Sequence, residues 1–126
     1  MSYCILLLTT ILIDTSSHLF KSKQLTDNND RIPQYLNGIK KIKELNPTTN
    51  IYISDNSEYL NNDSELLQYL IENDIYIIKD APNKYGKTNK GAGLIENWIH
   101  NINLLKKYEY IIHFEPRQLL INNNFI

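Results

Sequence analysis

Valine is absent from this 126-residue chain; alanine occurs only as Ala81 and Ala92, and cysteine only as Cys4. Each shortage excludes something. A lone cysteine forms no internal disulfide, and His18, His100 and His113 are too scattered to build a Cys/His zinc cluster. Neither sign of charge prevails: 13 basic residues against 14 acidic ones leave a net charge of −1. That excludes the strongly basic surface with which a nucleic-acid binder neutralises phosphates. The longest apolar run, Cys4–Ile13 (CILLLTTILI), is ten residues, too short to cross a hydrocarbon core of about 30 Å as a helix. No basic residue precedes it and no small-residue cleavage site follows, so it does not read as a signal peptide. The expectation is a cytoplasmic protein with no membrane span.

What is present points to one folded domain over residues 1–126. The chain is 42% apolar and 21% charged, an ordinary globular balance at a length that suits one core. Isoleucine, asparagine, lysine and tyrosine dominate, and all four have A/T-rich codons. The bias is therefore read as genomic. Runs such as Asn122–Asn124 are expected to be ordinary loops in a biased alphabet.

Apolar patterning divides the chain into alternating elements. Tyr3–Ile13 reads as a strand covered on both faces. Arg31–Leu45 reads as a helix with Ile32, Leu36, Ile39, Ile42 and Leu45 inward and Pro33 in its first turn. Asn50–Ser54 is a second strand. Asp63 or Ser64 caps a helix over Glu65–Glu72, with Leu66, Leu67, Leu70 and Ile71 inward. Ile75–Lys79 is a third strand, and Leu94–Lys107 a helix packed through Leu94, Ile95, Trp98, Ile99, Ile102 and Leu105. Tyr110–Phe114 is a fourth strand. This order predicts an α/β, Rossmann-like domain with a mostly parallel sheet. Ligands of such sheets sit at the carboxyl ends of the strands, here Asp14–Ser16, Asp55–Ser57, Asp80–Gly93 and Glu115–Arg117.

The stretch Ala81–Thr88 (APNKYGKT) fits a relaxed phosphate-loop pattern with Lys87 and Thr88 as its functional tail. It follows the third strand rather than the first, and Gly91 and Gly93 would weaken the helix it must open. A helix starting near Gly91 instead makes Asn89, Lys90 and the first-turn N–H groups an anion site, with Lys84, Lys87 and Lys90 around it. A solvated basic loop accounts for the same residues. Asp55 and Asn56 are placed to meet a nucleobase or ribose, or to close an Asx turn. Asp14 carries the same ambiguity. Pro116 stops the fourth strand and presents Glu115 and Arg117 together, either to a diphosphate or as a structural pair. No nucleophile–histidine–acid arrangement is supported.

In combination these segments resemble the nucleotide-binding half of GT-A-type nucleotide-sugar glycosyltransferases. The residues that carry the likeness are the apolar first strand ending in Thr/Asp, IYISDNS, NKGAGLIENW and YIIHFEPR. The resemblance implies hexosyl transfer from a nucleoside diphosphate sugar to an acceptor hydroxyl on a glycan, lipid or protein. It places Asp14, Asp55 and Asn56 at the nucleoside, and Lys90 and Gly91 at the nucleotide-sugar loop. Glu115 and Arg117 stand where the family's Asp-x-Asp holds Mn²⁺ or Mg²⁺. No Asp-x-Asp occurs here; Glu115 is the one candidate metal ligand, and Arg117 favours metal-independent binding, since a guanidinium can itself neutralise a diphosphate. The acceptor half is not represented, so a fragment, a homo-oligomer or a non-catalytic Rossmann-like interaction module is expected. A phosphate-loop NTP-binding protein is the alternative.

Overall fold

Tyr3–Thr9 forms strand β1, buried from Cys4 through Thr9 as a continuous apolar run requires. In the computed structural model, which describes residues 2–12, 28–86 and 88–124, β1 is a central strand. Strand β2 (Ile51–Asp55) lies on one side of it and β4 (Tyr110–Phe114) on the other. The short β3 (Tyr76–Ile78) forms the far edge, giving the order β3-β2-β1-β4 with every pair parallel. The alternation read from the sequence is thus realised as a Rossmann-like α/β sheet. Its order reverses between β1 and β4.

Helix α1 (Asn28–Leu45) and helix α2 (Glu65–Glu72) cover one face. There Ile5 and Leu7 meet Ile51 and Ile53 from β2, Tyr35, Leu36, Ile39 and Ile42 from α1, and Leu66 and Leu70 from α2. Helix α1 begins three residues earlier than Arg31, so Pro33 falls in its second turn and one backbone bond near the helix start is forgone. Ser64 is the cap of α2, its hydroxyl accepting from the Leu67 N–H at 3.1 Å. Ile71, expected inward, is 57% exposed because α2 turns only its Leu66–Leu70 edge to the core.

The opposite face carries helix α3 (Lys90–His100), continued by the single turn α4 (Ile102–Leu105). Here the expectation is overturned. Leu94, Ile95, Ile99 and Ile102 are exposed, while Gly93, Asn97 and Asn101 are buried against the sheet. The cause is Ser54, a polar residue fully buried in β2. Its hydroxyl donates to Asn97 Oδ1 at 2.7 Å and accepts from Asn101 Nδ2 at 3.0 Å, and its carbonyl accepts from Asn97 Nδ2 at 3.0 Å. Burying Ser54 without those partners would cost about 1–3 kcal/mol. The helix therefore turns its amides inward.

After β4 the chain runs along α1. Pro116 is buried against Gly38, and Leu120 packs on the core. Asn123 Nδ2 then donates to the Leu45 carbonyl at 2.7 Å and to Asn46 Oδ1 at 2.8 Å, satisfying the carboxyl end of α1. Asn123 is therefore a fixed contact. Cys4 is wholly buried, and burial pushes its thiol up to about 11, which keeps it protonated and unreactive. Among the described residues no helix is long and apolar enough to cross a membrane.

Candidate functional site

Leaving β1, the chain is fastened to the end of β2 by one carboxylate. Asp55 Oδ1 accepts from the Thr9 hydroxyl and the Ile11 N–H, both at 2.8 Å. Its Oδ2 accepts from the Ser57 N–H at 3.0 Å and the Ser57 hydroxyl at 2.6 Å. Those four donors use the four lone-pair directions of a carboxylate. The Asx turn foreseen at Asp55 is present, and the side chain is spent within the protein. Asn56 extends the clasp, Oδ1 accepting from the Thr10 hydroxyl at 2.6 Å. Its Nδ2 has no such bond among the described residues.

Helix α1 presents Arg31 and Tyr35, one turn apart, to the same place. Arg31 is 7% exposed. Its Nη2 donates to the Thr10 carbonyl and, at 3.4 Å, to the Tyr35 hydroxyl, while Nε donates to the Ile11 carbonyl at 3.4 Å. Tyr35 in turn donates to the Thr10 carbonyl at 3.3 Å. Burial lowers the Arg31 pKa and raises that of Tyr35. The positive charge of Arg117 adds to the lowering at Arg31.

From β4 come Glu115 and Arg117. The Glu115 carboxylate accepts from the Arg117 N–H at 3.4 Å, whereas Arg117 Nε donates to Gln34 Oε1 on α1 at 3.2 Å. The guanidinium thus turns to α1 rather than closing a Glu–Arg pair. No other side-chain hydrogen bond of Arg117 is formed among the described residues. Burial pushes the Glu115 carboxyl upward, and the Arg117 N–H, the Tyr35 hydroxyl and the two guanidiniums pull against it. A carboxyl whose pKa is raised on folding stabilises the fold below its unfolded pKa, and that contribution is lost as pH rises through the folded value. Glu115→Gln is accordingly expected to raise the melting temperature at pH 7 by on the order of 2 °C. Near pH 4, where the unfolded carboxyl also protonates, the gain should vanish. Paired melting curves at the two pH values check this, and an equal gain at both would contradict it.

Asp14 and Lys87 fall outside the described residues. Lys90 opens α3 and Gly91 follows it; the Lys90 side chain is also outside the described set. The Asn89 side chain caps the helix by accepting from the Ala92 N–H at 3.1 Å. Loop and helix are tied together by the Tyr85 N–H donating to Glu96 Oε1 at 3.2 Å. They touch closely: a Cβ on Gly93 would lie 2.6 Å from Gly86 Cα. These two glycines thus serve a loop–helix contact. A phosphate loop would set Lys87 and Thr88 in the first helical turn, but α3 opens at Lys90. The Thr88 hydroxyl and N–H both donate to the Tyr85 carbonyl at 3.1 Å.

Sequence reading missed Arg31, Gln34 and Tyr35. The available signal was their i, i+3, i+4 spacing at the head of the helix after the first strand. It was masked by counting only aliphatic residues as inward. As for a divalent cation, no three His, Cys, Asp or Glu side chains converge among the described residues. Glu115 shares its surroundings with two guanidiniums, which repel a cation and suit an anion. A divalent metal does not fit this donor set. No protein-family model, no curated protein and no solved structure matches this chain.

Proposed function

We propose that the carboxyl ends of β1 and β4 bind the diphosphate of a nucleotide sugar, in a glycosyltransferase-like domain that transfers the sugar to an acceptor hydroxyl. One observation carries this reading: Arg31, Arg117, Glu115 and Tyr35 meet where the strand order reverses, the place at which doubly wound sheets take their ligands. Arg117 offers its terminal fork to the diphosphate bidentately. Arg31 is held by loop carbonyls and contributes its field. Asn56 Nδ2 is the group at the β2 end still able to donate to a base or ribose. Asp14, Lys90 and Gly91 belong to this reading through the GT-A resemblance alone. In the transfer, the acceptor oxygen bonds to the anomeric carbon as the sugar–phosphate bond breaks, and the hydroxyl proton passes to the departing diphosphate or to water. The leaving diphosphate's charge is met by guanidinium rather than by a metal.

A thermal-shift panel tests it, with UDP-, GDP- and CMP-sugars beside ATP and GTP, each with and without Mn²⁺. A ligand at 100 times its Kd should add about 2.7 kcal/mol. One sugar nucleotide is expected to raise the melting temperature without Mn²⁺, with Arg117→Ala abolishing the rise and Lys87→Ala only weakening it. A strict Mn²⁺ requirement would refute the guanidinium role. Stabilisation by ATP or GTP alone, lost in Lys87→Ala, would establish a phosphate-loop protein instead. Silence across the panel would leave an interaction module.

A further inference from the structure

Both guanidiniums at the carboxyl ends of β1 and β4 are held by oxygens that carry no charge. Arg31 is fastened to the Thr10 and Ile11 carbonyls and the Tyr35 hydroxyl. Arg117 is fastened through Nε to the amide oxygen of Gln34, at 3.2 Å. Two carboxylates act on Arg31 through their charge, and neither is the acceptor that holds either arginine. Asp55 accepts from Thr9, Ile11 and Ser57 instead. Glu115 accepts from the backbone N–H of Arg117, not from its guanidinium. A carboxylate in place of Gln34 would hold Arg117 more strongly, because both partners would be charged. It would also cancel the charge that an incoming anion must find. A neutral amide holds the group and leaves that charge in place.

Which corner of the guanidinium is held matters as much. The group is planar and carries its N–H donors in a fixed fork, one on Nε and two on each terminal nitrogen. With Nε taken by Gln34, the side-on edge is occupied. The edge left over is the end-on pair of terminal nitrogens, whose parallel N–H groups match two oxygens of one phosphoryl group. Both ends of the hold are themselves fixed. Gln34 lies on the stripe of α1 that meets Pro116 at Gly38, and Pro116 restricts the backbone from which Arg117 projects.

We infer that Gln34 is a positioning residue for the bound anion: it aims Arg117 end-on at the diphosphate while leaving the guanidinium's charge uncancelled. This role rests on the diphosphate site proposed above, and it assigns to α1 the orientation of that site's main donor.

Titration calorimetry of the full 126-residue chain with inorganic pyrophosphate, at low and at moderate salt, tests it through two variants that separate hold from charge. Gln34→Glu keeps an acceptor for Nε but cancels the charge. It is expected to lower the affinity at least about tenfold and to flatten its salt dependence, with a melting temperature no lower than the parent's. Gln34→Met keeps the charge and removes the acceptor. It is expected to lower the affinity about fivefold, because the freed arginine must be ordered on binding, and to leave the salt dependence unchanged. On an Arg117→Lys background the Gln34→Met loss should shrink, since an ammonium is a point charge with no planar edge to aim. A contact that served the fold alone would show the reverse, a lower melting temperature in Gln34→Met and parent-like affinity in both variants. Parent-like affinity in either variant, or an equal loss on both backgrounds, overturns the positioning role and leaves the diphosphate site standing. A parent chain that takes up no pyrophosphate, or one whose binding survives Arg117→Ala undiminished, overturns the site itself and the role of Gln34 with it.

Discussion

Gly38→Ala is expected to lower the melting temperature by on the order of 10 °C and to abolish any binding that depends on Arg117. The ordinary effect of this change is the reverse, since alanine in a helix interior is favoured over glycine by about 1 kcal/mol. Here the added Cβ would overlap the Pro116 carbonyl oxygen and come within 2.7 Å of its carbon. Both obstacles are backbone, so no side chain can swing aside. Pro116 is itself buried and its ring restricts the turn. Overpacking of this kind costs ~1–3 kcal/mol, and a clash with backbone sits at or above the upper end. A melting curve and a sugar-nucleotide shift assay on the variant read both effects. An unchanged melting temperature would mean that α1 does not lie against this turn.

The consequence for binding follows from spacing along α1. Arg31, Gln34, Tyr35 and Gly38 share one stripe of the helix, at intervals of three and four residues. Gly38 sets how closely that stripe approaches the Glu115–Arg117 turn. Gln34 then reaches Arg117 Nε, and Arg31 and Tyr35 stand between that turn and the clasp on Asp55. A helix pushed outward would lengthen the Gln34 bond and admit water around Glu115. The raised carboxyl and the paired guanidiniums depend on exclusion of that water. Close packing at a glycine and the electrostatics of the site are thus one feature.

How far these features show in the sequence depends on their range. Four apolar runs became four parallel strands because a strand buried on both faces needs little beyond its own composition. Ser64 was legible as a cap, and Asp55 as an Asx turn, because each bonds within three residues of itself. Pro116 marked the end of β4 for an equally local reason. The inner face of α3 was not legible. Its polarity answers Ser54, 43 residues before Asn97, and a count of apolar positions sees only the wrong side of the helix. Asn123 was hidden likewise, because its amide partners lie 77 and 78 residues away on Asn46 and Leu45. The arginines tell the same story. Arg117 stood out beside a proline, but Arg31 gains meaning only when the loop after β1 and the turn after β4 are brought to it.

Asp55→Asn should cost the unliganded protein about 2–4 kcal/mol, and Asp55→Ala more. The carboxylate accepts four hydrogen bonds, two from the chain leaving β1 and two from Ser57. Asparagine keeps one acceptor oxygen and turns an NH₂ toward two donors, so two of the four bonds are lost and the donors oppose each other. Alanine leaves all four donors without the partner they have, each buried orphan costing ~1–3 kcal/mol. A side chain whose work is to touch a nucleoside would behave otherwise. Its loss would leave the unliganded fold within about 0.5 kcal/mol and appear only in binding. Denaturant unfolding without ligand separates the two roles, and an unaffected midpoint would return Asp55 to the ligand. Adding Thr9→Val to Asp55→Asn should cost less than the two changes made separately, because the Thr9 hydroxyl has already lost or weakened its acceptor. Strict additivity would show that this bond contributes nothing to the clasp. The loop after β1 then has no other carboxylate holding it beside Arg31 among the described residues, and the guanidinium loses the Thr10 and Ile11 carbonyls that fix its position. Asp55 therefore acts on the anion site through the backbone it holds, at one remove from any ligand.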